Sequence, residues 1–283
     1  KRGEWKGTPV TISLIENAKP VWAKPYPVPL KNRQVFKEEL KRQCDIGALR
    51  ALNAEEIEER EWASPAFGIP KKNGTIRLVI DFHRINQCLK RKEYPLPTID
   101  EMLQDVNGFI LASVIDLNMG YLSIPLCKES RKLLTITTQY GFFESCVLPM
   151  GIKPASDIFQ SRMLGVFQPM EHGKPTPYID DIFHGKGNTF EEHLAILAEI
   201  FRRLLEAGMQ VNLDKSTLCA QSVEFLGFNL GQKGFKPMKK RIEAILKLAP
   251  PTNLKKTRGF LGTINFIKNQ GCRCRLGLGK TGL

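Results

Sequence analysis

The sequence predicts an α+β fold built on antiparallel sheet, and three observations point there. Strand-like and helix-like segments mix without the strand–helix–strand rhythm of a doubly wound parallel sheet. Two apolar runs carry hairpin signals: "SPAFGIPKKNGTIRLVIDF", with Asn73-Gly74 at its turn, and "KLLTITTQYGFFESCVLPMG". A third run, "PYIDDIFHG" at 177–185, sets two adjacent aspartates inside an apolar run, as at a hairpin tip.

The elements follow in order. Residues 1–30, rich in proline and lysine, predict an extended lead-in. Residues 34–60 read as helix and end in the acidic patch "NAEEIEERE". After the first hairpin, "YPLPTIDEMLQDV" reads as a short helix behind a proline-rich entry, and "FILASVIDLN" as an apolar strand ending at Asp116. "SDIFQSRMLGVFQPM" is helical in pattern and leads to the Asp180 hairpin. A helix over about 189–207 comes next. Thr189 and Glu192 form its capping box, Phe190, Leu194, Leu197, Phe201 and Leu204 share one face, and Gly208 stops it. "MQVNLDK" and "SVEFLGFNL" read as further strands. Two short basic helices, 238–249 and 253–267, flank Pro250-Pro251, and the basic stretch 268–283 has no periodicity and reads as unstructured.

A chain of 283 residues suits one large domain or two to three subdomains. No run reaches the ~18–20 apolar residues of a membrane span, and no apolar stretch follows the charged N-terminus. The expectation is an intracellular protein, in the cytoplasm or nucleus, neither secreted nor membrane-bound. Seven cysteines at 44, 88, 127, 146, 219, 272 and 274 lack metal-ligand spacing and read as reduced thiols. Net charge is +13, and residues 233–283 hold thirteen Lys or Arg against one acid, Glu243. Such a face suits a polyanion such as nucleic acid, although a solvated lysine-rich surface has the same composition.

Two like charges inside an apolar run are expensive unless something positive meets them. Asp180 and Asp181 at a hairpin tip, with Asp116 at another strand end, put three carboxylates within reach of one sheet face. Hard divalent ions such as Mg²⁺ take such ligands, and two ions can clamp an in-line phosphoryl displacement. Spacing alone also allows a simple polar turn.

Tyr178-Ile179-Asp180-Asp181, preceded by Asp116-Leu-Asn-Met-Gly-Tyr121, resembles the reverse transcriptase family. The blocks "WASPAFGIPKKNGTIRLVIDFHRIN", "YPLPTIDEML", "LPMGIKPASDIFQ", "VNLDKS", "VEFLGF" and "APPTNLKKTRGFLGTINF" agree in order, over about residues 20–267. The likeness is greatest to enzymes of gypsy-like long-terminal-repeat retrotransposons. It implies a right-hand polymerase: fingers over 31–90 and 126–156, palm over 91–125 and 157–235, and the start of a thumb over 236–267. It implies RNA-directed DNA synthesis, with Asp116, Asp180 and Asp181 as ligands of two Mg²⁺ ions, Mn²⁺ being a possible substitute. Lys72 and Arg77 match fingertip residues that reach the incoming triphosphate, and Tyr121 the aromatic that excludes a 2′-hydroxyl. Met150 and Gly151 match the nucleotide-side loop. Tyr178, Gln160 and the Phe225-Leu226-Gly227 stretch match primer and template contacts. The implied partners are an RNA or DNA template with primer and dNTPs. RNase H, protease and integrase domains of a parent polyprotein are implied but are not in this sequence.

The match departs at His83, Met150, Ser156 and Leu122-Ser123, where the family more often has other residues, and it stops near Lys268. "GLGKT" lacks the earlier glycine of a phosphate loop. Two other readings stay open: a catalytically silent fragment that binds nucleic acid through its basic C-terminal region, and a two-metal nuclease, which leaves the fingertip hairpin and Tyr121 unexplained.

Overall fold

The computed structural model describes residues 2–94, 102, 109–232, 234–240, 243, 247 and 250–269, the last seven by backbone alone. The chain divides into two compact units. The first comprises 1–95, 117–169 and 201–212, and the second 96–116, 170–200 and 213–283. The stretch 157–235, predicted as one palm segment, is thus shared between them.

In the first unit the lead-in is extended, as expected. It meets the rest through isolated bridges such as Val10 with Leu126 and Trp22 with Ala63. Residues 34–60 do not form one helix. Helix α1 (Arg33–Asp45) ends, strand β1 (Leu49–Ala51) follows, and α2 (Ala54–Glu58) is separate. The reason is Gly47, whose φ of +69° suits a residue without Cβ. There the Gly47 and Ala48 amides turn back to the Cys44 and Gln43 carbonyls, a Schellman stop. Asn53 then caps α2 in a reciprocal box with Glu56.

Both predicted hairpins are present: β2 (Ser64–Pro70) with β3 (Ile76–Ile80), and β5 (Thr135–Thr138) with β6 (Gly141–Ser145). They join in one sheet, ordered β1-β6-β5-β2-β3, in which β2 and β5 run parallel. This parallel pair is a local exception to the predicted antiparallel sheet. Phe36 and Leu40 of α1 pack onto it with Leu49, Ile76 and Ile136. Short helices α3 (His83–Asn86) and α4 (Lys128–Leu133) and the longer α5 (Ala155–Phe167) complete the unit.

The second unit carries a four-stranded sheet, ordered β7-β8-β4-β9. Its strands are β4 (Ala112–Leu117), β7 (Thr176–Tyr178), β8 (Asp181–His184) and β9 (Val211–Ala220). "SVEFLGFNL" is a tight hairpin rather than one strand. Strand β10 (Ser222–Phe225) turns into β11 (Phe228–Gly231) through Leu226-Gly227, both at positive φ, and β12 (Gly234–Pro237) joins it. Val114, Phe183, Val223, Phe225, Phe228 and Leu230 form the unit's apolar core.

Helix α6 (Phe190–Glu206) has the predicted length but a different buried face. His193, Leu197, Ile200 and Leu204 are buried, whereas Phe190 and Leu194 are exposed. Thr189 Oγ accepts from the Glu192 amide, while the Glu192 carboxylate reaches the Asn188 amide, one residue before the expected cap. Helix α7 (Leu254–Asn269) matches the second basic helix, capped by Asn253 Oδ1 on the Lys256 amide. The predicted helix in 94–106, most of that at 238–249, and the tail beyond 269 lie outside the described residues. Among the described residues, no helix is long and apolar enough to cross a membrane.

Candidate active site

The carboxylates come together because β4 and β8 pair antiparallel. Their register sets Asp116 directly opposite Asp181, Ile115 opposite Ile182 and Val114 opposite Phe183. The apolar residues fix this register, since a slip of one residue would turn every side chain to the wrong face. Tyr178 of β7 also sits opposite Asp181, so Ile179 and Asp180 are the whole hairpin turn. Ile179 takes φ +55°, an uncommon position for a β-branched residue, which marks this turn as strained.

The electrostatics are one-sided. The Oδ1 atom of Asp180 is buried and meets no hydrogen-bond partner among the described residues. Burial, then the charges of Asp181 and Asp116, push the Asp180 carboxyl up to about 6. Burial and Asp116 raise Asp181 likewise. The nearby cation is Lys215 of β9, whose Nζ lies 4.0 Å from Asp116 Oδ1 and which is itself exposed. The Asp116 amide donates to Ser216 Oγ at 3.1 Å.

These groups fit a hard cation. All three donors are carboxylate oxygens, they repel one another, and one buried oxygen is unpaired. They do not close into a cage: among the described residues, no three acid, His or Cys side chains converge on one point. The set is open, which suits a metal completed by substrate oxygens rather than by protein.

The other expected site residues lie where their elements put them. Lys72 is exposed in the β2–β3 turn and Arg77 is exposed on β3. Tyr121 is buried in a short 3-10 helix, stacked on Phe159 at 4.6 Å, with its hydroxyl donating to Ser156 Oγ. The departure at Ser156 thus gives the Tyr121 phenol an acceptor. Met150 is exposed, and the Gly151 carbonyl accepts from Asn86 Nδ2. Gln160 is fully buried in α5, Phe225 is a core residue, and Leu226 and Gly227 are the hairpin turn. Tyr178 is half-buried beside Asp181. Asp116, Asp180, Asp181 and Tyr178 belong to the second unit with Phe225, Leu226 and Gly227, and the rest belong to the first.

Sequence reasoning missed Lys215 and Ser216, which end the quoted "VNLDKS", as partners of Asp116. It also missed the buried pair Ser113 and His193, whose only signal was a histidine on an otherwise apolar helix face.

The comparisons with known proteins agree with this geometry. The family profile described as reverse transcriptase (RNA-dependent DNA polymerase) matches residues 69–230. Several transposon polyproteins of Schizosaccharomyces pombe, among them Tf2-3 and Tf2-4, are 28% identical over 264 residues. That alignment takes in 93% of this chain but only 19% of each polyprotein. A foamy viral protease-reverse transcriptase in complex with double-stranded DNA has a TM-score of 0.82 at 25% identity, covering 95% of this chain and 46% of that one. Another, in complex with RNA/DNA hybrid, has a TM-score of 0.79 at 24% identity, covering 95% and 35%. The expected α+β fold of a polymerase palm and fingers is borne out by this likeness. With the profile spanning more than half of it, the chain belongs to the reverse transcriptase (RNA-dependent DNA polymerase) family.

Proposed function

We propose that this chain extends a primer 3′-hydroxyl with deoxynucleotides on an RNA or DNA template, by two-metal nucleotidyl transfer. The observation that supports this most is the Asp116–Asp181 cross-strand pair with the unpaired, buried Asp180 oxygen beside it. Asp116, Asp180 and Asp181 would hold two Mg²⁺ ions, or Mn²⁺ in their place. When bound, such ions lower the pKa of the attacking hydroxyl and stabilise charge on the leaving pyrophosphate.

The chain's own groups do the rest. Lys72 supplies a point charge and Arg77 a bidentate guanidinium for the triphosphate. Tyr121, held flat by Phe159, rejects a 2′-hydroxyl by steric clash. Met150 and Gly151 border the nucleotide, and Gly151, at φ +96° with Phe82 Cδ2 3.7 Å from where a Cβ would stand, lets the backbone approach a ligand. Tyr178, Gln160 and the Phe225–Gly227 turn serve the primer and template ends. The basic region from 233 onward contacts phosphates without reading sequence.

Two neighbours, the foamy viral proteins, are in complex with double-stranded DNA and with RNA/DNA hybrid, which supports a duplex substrate. The transposon relatives are polyproteins, which supports a parent chain carrying further domains; this reading takes them to be protease, RNase H and integrase domains, working in a cytoplasmic particle or the nucleus.

Primer extension on RNA with dNTPs, with and without Mg²⁺ or Mn²⁺, tests the reading. Metal-dependent extension that Asp180→Asn abolishes is the expected result. Binding of primer–template without extension would leave the silent nucleic-acid binder instead. Tyr121→Ala is expected to admit ribonucleotides about 10- to 100-fold better, the usual reach of a steric gate.

A further inference from the structure

The four-stranded sheet has a second polar cluster that the chemistry above does not use. Side chains alternate across a strand, so Ser113 and His184, cross-strand partners, point to the face opposite Asp116 and Asp181. Helix α6 supplies His193 to that face. Ser113, His184 and His193 are all essentially without solvent exposure.

The hydrogen bonds run in one direction. His193 Nδ1 lies 3.0 Å from the Lys186 carbonyl, which can only accept, so Nδ1 carries the hydrogen. In the neutral ring His193 Nε2, 2.9 Å from Ser113 Oγ, then accepts the serine hydroxyl. Ser113 Oγ in turn accepts the Cys219 amide of β9 at 3.0 Å. Gly187 makes the first link possible: with φ +110°, any Cβ there would lie 2.8 Å from the His193 backbone nitrogen.

Strand β9 is thereby tied to β4 reciprocally. Its Cys219 amide goes to Ser113 of β4, and its Ser216 hydroxyl accepts the Asp116 amide of β4. Cys219 sits at φ +50°, off the regular strand conformation, and its amide goes to the Ser113 side chain. The two serine hydroxyls fix where β9 stands, and Lys215, next to Ser216, stands within 4.0 Å of Asp116 Oδ1. His184 stacks on His193 at 4.4 Å and fills the remaining space without a hydrogen-bond partner among the described residues.

We propose that the Lys186–His193–Ser113–Cys219 chain positions the carboxylate strands: Ser113 and His193 act through β4 and β9 to keep Asp116, with Lys215 beside it, in register with Asp181. This rests on the metal-site reading of the aspartates. It makes Ser113 and His193 positioning residues, in contact with neither metal nor substrate. Loss of groups that orient metal ligands typically lowers metal affinity or turnover 10- to 100-fold, and the low end of that range is expected for residues that act through the ligand-bearing strand.

The test compares wild type with Ser113→Ala and Ser113→Thr, using Mn²⁺ titration followed by electron paramagnetic resonance and, separately, primer extension kinetics. Ser113→Ala is expected to weaken Mn²⁺ binding and lower kcat, each about tenfold or more, while KM for dNTP and affinity for primer–template stay within about twofold. Ser113→Thr, which keeps the hydroxyl, restores both. Nitrogen NMR of wild type is expected to show His193 with hydrogen on Nδ1. His193→Phe adds a second removal of the chain, and Ser113→Ala carries the test if that variant does not fold.

Unchanged Mn²⁺ binding and kcat in folded Ser113→Ala, whatever its melting temperature, overturns the proposal. If wild type binds Mn²⁺ and Ser113→Ala does not, yet neither extends a primer, the positioning role stands and the polymerase reading falls.

Discussion

Two carboxylates of the protein, Glu144 and Asp180, have oxygens withdrawn from solvent and are treated in opposite ways. Glu144, on β6 of the first unit, is nearly inaccessible, and its oxygens take Arg50 Nε at 2.9 Å and Arg60 Nη2 at 2.7 Å, with Arg131 at 4.0 Å. Asp180, in the second unit, has an oxygen without a hydrogen-bond partner among the described residues and two carboxylates for neighbours. A buried charge with built-in counter-charges serves the fold. A half-buried carboxylate left with its own kind has no such counter-charge, a demand that the proposed metal site would answer.

Four changes break or sharpen the contrast, the largest effect first. Asp180→Asn is expected to lower extension by about 10³-fold or more, because an interaction needed in the transition state is lost. The same change raises the melting temperature of the metal-free protein, since one repelling charge is gone. Glu144→Gln is expected to act in the reverse sense. It strips the partner from Arg60, itself buried, and costs on the order of 3–5 kcal/mol in chemical denaturation while extension per folded molecule holds.

The pH dependence separates the sites further. The raised Asp180 carboxyl binds its proton more tightly in the folded than in the unfolded chain. Its contribution therefore falls as pH rises from about 4 through about 6. His184, whose burial and nearness to His193 push it down to about 4, does the opposite: its contribution is present above pH ~6.5 and is lost as pH falls through that window. The two slopes oppose each other in wild type. Thermal melts from pH 4 to 7 without metal are expected to show a shallow slope in wild type and a steeper gain with pH in Asp180→Asn. Added Mg²⁺ is expected to stabilise wild type more at pH 7 than at pH 5, and to do little for the variant.

The smallest effect belongs to a third carboxylate of intermediate kind. Asp157, at the start of α5, is buried but takes Arg91 Nε at 2.7 Å and the Tyr94 amide at 3.0 Å, and Arg91 holds its pKa down. Arg91 is exposed, so Arg91→Ala is expected to cost clearly less by denaturation than Glu144→Gln. That loss shrinks as pH falls below the carboxylate range.

Most of the candidate site's strand pair was legible in the sequence. Asp116 closes an apolar run, Asp180 and Asp181 interrupt another, and those apolar runs placed both as strands. Asn73-Gly74, Thr189 with Glu192, and Gly208 marked local ends correctly because turns and caps are decided within a few residues. The buried face of α6 was misjudged by one apolar rule: His193 counted as polar, yet it is fully buried because Lys186 and Ser113 satisfy both its nitrogens. The break at Gly47 was hidden because a good helical pattern masked one glycine.

By itself, then, the sequence determined the class of fold and the hairpins, since each is written in local spacing and chemistry, while the resemblance of its ordered motifs pointed to the family and singled out the three aspartates. The tertiary structure alone decided which buried charges are answered. Arg50 and Glu144 are 94 residues apart, Ser113 and His193 are 80, and the β2–β5 pair joins segments that no local pattern relates. Whether a carboxylate finds a guanidinium or only another carboxylate depends on which distant strand is laid beside it. That choice is made by packing of the whole core rather than by the residues next in line.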